Sequence, residues 1–80
     1  MKYVIFAKPT CPFCVKAELL LEEKEVVYKT VNFDENQHIL LQEIKEAYGW
    51  PTVPMVFKIN ENHIEFLGGY TDLVRHFGNE

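Results

Sequence analysis

The sequence predicts a small α/β fold of order β-α-β-α-β-β-α, a four-stranded mixed sheet with helices on both faces. Three observations predict it. Four short runs, residues 2–7, 26–33, 55–59 and 63–67, are rich in β-branched and aromatic residues and read as strands. Two longer stretches of helical periodicity separate the first three runs, and the last two are joined by a turn of hairpin length. Finally, 80 residues at 48% apolar and 25% charged suffice for one domain, residues 1–80, with an ordinary core.

Each element has its own justification. "KYVIFA" is a short buried strand stopped by Pro9. From Pro12 to about Glu25, apolar Val15, Leu19, Leu20 and Leu21 alternate with Lys16, Glu22, Glu23 and Lys24 in a helical pattern. "VVYKTVNF" is the second strand. Asp34 and Asn36 offer capping side chains to a helix running to about Tyr48, with Leu40, Leu41, Ile44, Ala47 and Tyr48 inward, and Gly49 ends it. "MVFKI" and "HIEFL" flank the turn "NEN", and a final helix, "TDLVRHF", follows Gly68-Gly69. The first half is a right-handed βαβ unit with parallel strands, whereas the hairpin strands pair antiparallel.

Charge and composition exclude several classes. Net charge is −4, unevenly spread: residues 1–17 carry Lys2, Lys8 and Lys16 without an acid, and the remainder is −7. This acidity argues against nucleic acid as a partner. "MKYVIFA" is too short for a membrane span or signal core, so neither a membrane nor export is expected. The expected location is cytoplasmic, where a structural disulfide does not persist.

The chemistry centres on "KPTCPFCVKA", which holds the two cysteines of the chain. With Cys11 as N-cap, Pro12 falls at N1, where its missing N–H costs nothing. The N–H groups of Phe13 and Cys14 then point at the Cys11 sulfur, and the helix dipole favours its anion. Lys8 and Lys16 add positive charge nearby. Cys14, one turn on, lies within disulfide reach and deeper in the helix. Cys11 is therefore the nucleophile and Cys14 the resolving thiol. A thiolate so stabilised gains little as an attacker, because intrinsic nucleophilicity falls with basicity, but it leaves a mixed disulfide easily. No metal site is expected, since His38, His63 and His76 lack the spacing that follows a zinc Cys-x-x-Cys and read as surface or hairpin histidines.

Cys-Pro-Phe-Cys after the first strand, "TVP" at 52–54 and "GGYTDL" at 68–73 together resemble the glutaredoxin family, in order and spacing along the whole chain. Phe13 stands where many dithiol members have Tyr. The resemblance implies the thioredoxin fold in its minimal form, a cis Val53-Pro54 peptide, and glutathione as co-substrate with no tightly bound cofactor. It also implies a tripeptide groove lined by Lys8, Phe13, Thr52, Val53, Pro54, Gly69, Tyr70, Thr71 and Asp72. There Val53 pairs with an extended cysteinyl peptide. The last helix start, with Thr71 as N-cap, takes one carboxylate, Asp72 the ammonium, and Lys8 the glycine-end carboxylate. Gln37 and Gln42 are both candidates for a further contact from the second helix. Tyr48 and Trp50 read as packing residues near the groove.

The expected activity is a glutathione-dependent thiol–disulfide oxidoreductase acting on disulfide-containing or glutathionylated proteins. Two alternatives accompany it. One is a glutaredoxin-like reductant of ribonucleotide reductase recharged by thioredoxin reductase, against which Lys8 and Thr71-Asp72 argue. The other is an iron–sulfur cluster carrier bridged between protomers, which Pro12 disfavours. A monomer is the family expectation.

Overall fold

The computed structural model describes residues 1–78. Its elements run β1 (Lys2–Ala7), α1 (Pro12–Glu23), β2 (Tyr28–Asn32), a 3₁₀ turn (Glu35–Gln37), α2 (His38–Tyr48), β3 (Met55–Asn60), β4 (His63–Gly68) and α3 (Tyr70–Gly78). The four strands form one mixed sheet in the order β2-β1-β3-β4. β1 and β2 are parallel, Tyr3 opposite Tyr28 and Ala7 opposite Asn32. β3 is antiparallel to both β1 and β4. This is the thioredoxin-like fold.

Alternation along the strands separates two unlike faces. Tyr3, Ile5 and Ala7 of β1 and Val56 of β3 point to one side, where they pack with Cys14, Ala17 and Leu21 of α1 and Leu73 of α3. On the other side Val4 lies opposite Phe57 and Phe6 opposite Met55. There the rings of Phe6 and Phe57 stand 5.0 Å apart, and Tyr48 of α2 meets Phe57 at 5.2 Å. The resulting aromatic layer continues from Phe57 to Phe66 at 5.1 Å and from Phe66 to Trp50 at 5.3 Å.

Within α1 the inward stripe is Cys14, Ala17 and Leu21, spaced three and four apart, while Val15 and Leu19 face outward. The apolar residues Val15, Leu19, Leu20 and Leu21 leave the helical phase open, and the buried Cys14 fixes it. The polar side of α1 holds β2: the Thr30 hydroxyl donates to Glu18. The Tyr28 hydroxyl keeps its proton above the ordinary phenol range, first because burial penalises the phenolate and then because Glu22 and Glu18 repel it.

Several boundaries shift from expectation. α1 stops at Glu23, and its C-terminus closes in a Schellman arrangement: Val26 N–H donates to Leu21 C=O at 3.3 Å and Glu25 N–H to Glu22 C=O at 3.0 Å. Glu25 takes the left-handed position, φ +56°. β2 is shorter than residues 26–33: Val26 N–H is spent on the helix exit, while Val27 C=O accepts from Tyr3 N–H at 2.9 Å and Phe33 N–H donates to Ala7 C=O at 2.8 Å just outside the strand. Asp34 and Gln37 form a reciprocal capping box, in which Asn36 N–H donates to Asp34 Oδ1 at 2.9 Å and Asp34 N–H to Gln37 Oε1 at 3.1 Å. The box winds a 3₁₀ turn before α2 begins. On α2 only Leu41 is fully buried and Ile44 is half-buried; Leu40, Ala47 and Tyr48 stay largely exposed, although the Tyr48 ring still meets Phe57. His38 and His63 are exposed as expected, but His76 is half-buried, its Nε2 3.1 Å from the Tyr3 hydroxyl.

Candidate active site

The β1–α1 connection brings the cysteine pair to the end of the sheet. Thr10 adopts a left-handed conformation, φ +58°, and its hydroxyl donates to Pro9 C=O at 2.6 Å. Cys11 follows as the N-cap, with extended backbone, and Pro12 begins the helix. Val15 N–H donates to Cys11 C=O at 3.1 Å, the first helical bond. Of the two N–H groups expected at the Cys11 sulfur, that of Cys14 makes the bond, at 3.2 Å. The two cysteines are joined as a disulfide with Cα atoms 5.2 Å apart. They are not equivalent. Cys14 is 4% exposed and belongs to the core cluster, whereas Cys11 is half-buried at its edge. An incoming sulfur therefore reaches Cys11 first. No acid in the first turn of α1 offsets the helix dipole at that sulfur.

A groove of ≈ 330 Å³ lies beside the pair, lined by Phe13, Thr52, Val53, Pro54, Gly69, Tyr70, Thr71 and Asp72, with Trp50 as a further wall. The Val53-Pro54 peptide is cis, as the resemblance implied. Gly69 lies close to the floor, and a Cβ there would sit 3.6 Å from both Pro54 O and Trp50 Cζ2. The Phe13 and Tyr70 rings face each other at 6.0 Å across one rim, and Lys16 Nζ rides 4.8 Å above Phe13.

At the α3 start the residue roles differ from expectation. Leu73 N–H donates to Gly69 C=O at 3.0 Å, which makes Gly69, not Thr71, the N-cap. Asp72 thus falls at N3 and reaches back, Oδ2 accepting from Gly69 N–H at 3.0 Å; Oδ1 stands 3.5 Å from Arg75 Nη1. This is the carboxylate half of a capping box with glycine at its other end. Its neighbour Gly68 must be glycine: at φ +118°, a Cβ there would lie 2.5 Å from Asp72 Oδ2. A register shift between β3 and β4, Val56 pairing Gly68 and Phe57 pairing Phe66, turns the chain into this position.

Eight of the nine expected groove residues therefore come together. The ninth, Lys8, lines a separate cavity with Pro9, Thr10, Phe33, Asp34, Glu35 and His38. Neither glutamine lines the groove: Gln37 is committed to the Asp34 capping box, and Gln42 lies with Trp50 and Pro51 in a third cavity. Trp50, read from sequence as packing, is a groove wall whose Nε1 is buried without an acceptor among the described residues. The signal that pointed to it was its position just before "PTVP".

The glutaredoxin family model matches residues 3–64. The chain belongs to the glutaredoxin family. Among relatives, it is 38% identical over 73 residues to a hybrid peroxiredoxin, hyPrx5, of Haemophilus influenzae, matching 91% of this chain. It is 36% identical over 73 residues to glutaredoxin 1 of Rickettsia typhi, matching 88% of this chain. The chain spans only 28% of the first relative's length and 64% of the second's. In fold it is similar to a buckwheat glutaredoxin solved as a glutathione complex, with a TM-score of 0.80 at 20% identity, covering 96% of this chain and 68% of that one. The matched residues include the Cys11–Cys14 pair.

Proposed function

We propose that the chain uses glutathione as its electron donor and reduces protein disulfides and protein–glutathione mixed disulfides through Cys11. The observation that carries this reading is the groove beside Cys11, with a backbone edge at Val53 and a helix start at Gly69. A peptide laid along Val53 has its cysteine sulfur at Cys11, and its terminal carboxylate meets the free N–H groups of the α3 start. Asp72 keeps lone pairs for the ammonium group beyond the bond it accepts from Gly69. Lys8 and Lys16 supply positive charge around the cysteine loop, Lys8 from its neighbouring cavity. That glutathione is seen bound to the buckwheat relative supports the reading.

The chemistry balances in two routes. In the first, the Cys11 thiolate attacks the glutathione sulfur of a mixed disulfide, and the protein thiolate leaves. The thiolate of a second glutathione then attacks the Cys11-bound sulfur, releasing glutathione disulfide and the Cys11 thiolate. In the second, Cys11 attacks a protein disulfide, and Cys14, deprotonated, displaces the reduced protein to give the Cys11–Cys14 bond. Two glutathiones reduce that bond and leave as glutathione disulfide. The helix start acts chiefly when Cys11 is the leaving group.

Steady-state kinetics with glutathione as varied substrate tests the proposal. Asp72→Ala should raise KM for glutathione by about tenfold, the loss of one charge-assisted hydrogen bond. Unchanged KM, or turnover supported by a thioredoxin reductase and not by glutathione, would exclude it.

A further inference from the structure

The groove does not end at Tyr70. The same side chain lines a second, open cavity of ≈ 240 Å³ on the outer face of α1, with Lys16, Leu19, Leu20 and Glu23. Phe13 and Tyr70 form the sill between the two, and Lys16 is held over the Phe13 ring. Leu19 is 60% exposed there, on the side of α1 away from the stripe that builds the core. Phe13, Leu19 and Tyr70 thus make one apolar surface continuous with the groove, flanked by a cation at one end and an acid at the other.

We infer that this α1 surface docks the polypeptide flanking the reacting cysteine of a protein substrate, selecting segments that carry an apolar residue and an acidic one. The inference rests on the glutathione reading above. A groove of ≈ 330 Å³ is of tripeptide size, so glutathione fills it and leaves the α1 surface untouched. A protein chain attached to the reacting sulfur continues past the sill. Charge at the sill selects the segment: Lys16, at the Phe13 end of the surface, attracts an acidic residue, whereas Glu23 at the far end repels one. The apolar residue covers Leu19 and the stem of Lys16.

Three substrates separate this inference from the reading beneath it. Two are synthetic peptides with one S-glutathionylated cysteine, flanked by Leu and Glu in one and by Ser and Lys in the other. The third is 2-hydroxyethyl disulfide with glutathione. The wild-type chain should prefer the Leu/Glu peptide by about tenfold in kcat/KM, roughly the worth of burying one leucine. Leu19→Gln should erase most of that preference and leave turnover of 2-hydroxyethyl disulfide within about twofold. Ile39→Gln, an equally exposed position on α2, should change neither. A wild type without preference, or a preference that survives Leu19→Gln, overturns the docking surface alone. A chain inert toward all three substrates overturns the glutathione reading and the docking surface with it.

Discussion

Thr10 is the residue at which the cysteine loop departs furthest from relaxed backbone. A β-branched side chain at φ +58° is disfavoured by roughly 1–3 kcal/mol, and the hydroxyl bond to Pro9 recovers only part of that. Thr10→Gly should therefore raise stability by about 1 kcal/mol in denaturant unfolding, whereas threonine to glycine at an ordinary exposed site lowers it. A loss of ~1 kcal/mol or more would mean that the hydroxyl bond outweighs the backbone strain. The strained conformation sets the direction from which Cys11 enters the N-cap position, so it belongs to the site. Sequence alone does not reveal it, because nothing in "KPTC" demands a left-handed threonine. The positions of Cys11 and Cys14 were legible, since Pro12 marks a helix start and fixes both within one turn. The position of Asp72 was legible only in part: its side chain lines the groove, but the helix cap lies at Gly69, two residues before Thr71. Glycine at an N-cap carries no side-chain signal.

The two long helices end by the same hydrogen-bond pattern with different residues. α2 places Gly49 at the left-handed position, φ +61°, and Trp50 N–H donates to Lys45 C=O at 2.8 Å. α1 places Glu25 there instead. Glu25→Gly should stabilise the chain by about 0.5–1 kcal/mol, read as a shift in the urea midpoint at constant slope. No stabilisation would mean that Glu25 gains elsewhere what its backbone loses. Gly49 announced the end of α2 in the sequence, whereas a glutamate announces nothing, and for that reason α1 was expected two residues too long. The strands were legible from their β-branched and aromatic runs. The 3₁₀ turn was not, because Asp34 and Gln37 also satisfy the pattern of an ordinary helix cap. The phase of α1 turned on a cysteine, which behaves in cores as a small hydrophobe although its motif reads as chemistry.

For the whole molecule, the sheet divides labour between its faces. One carries the dry core that holds Cys14 behind Cys11. The other carries the aromatic layer that runs from Phe6 through Phe57 and Phe66 to Trp50, and so backs the groove wall. The site is assembled where β1, β3 and the two helix starts converge, from segments some 40 to 60 residues apart in sequence. Three short motifs in order made that convergence legible before any geometry was known. The placement of Lys8 outside the groove was not, since its side chain direction depends on the turn at Pro9 and Thr10. The proposed mechanism requires that Cys11 alone exchanges glutathione while Cys14 serves only to resolve protein disulfides. The most direct measurement is the rate at which single-serine variants release glutathione from a glutathionylated protein with glutathione as reductant. Cys14→Ser should keep at least about half of the wild-type rate and Cys11→Ser should fall by ~10³-fold or more, the loss of a nucleophile. Release that persists in Cys11→Ser, or disappears in Cys14→Ser, would contradict the account.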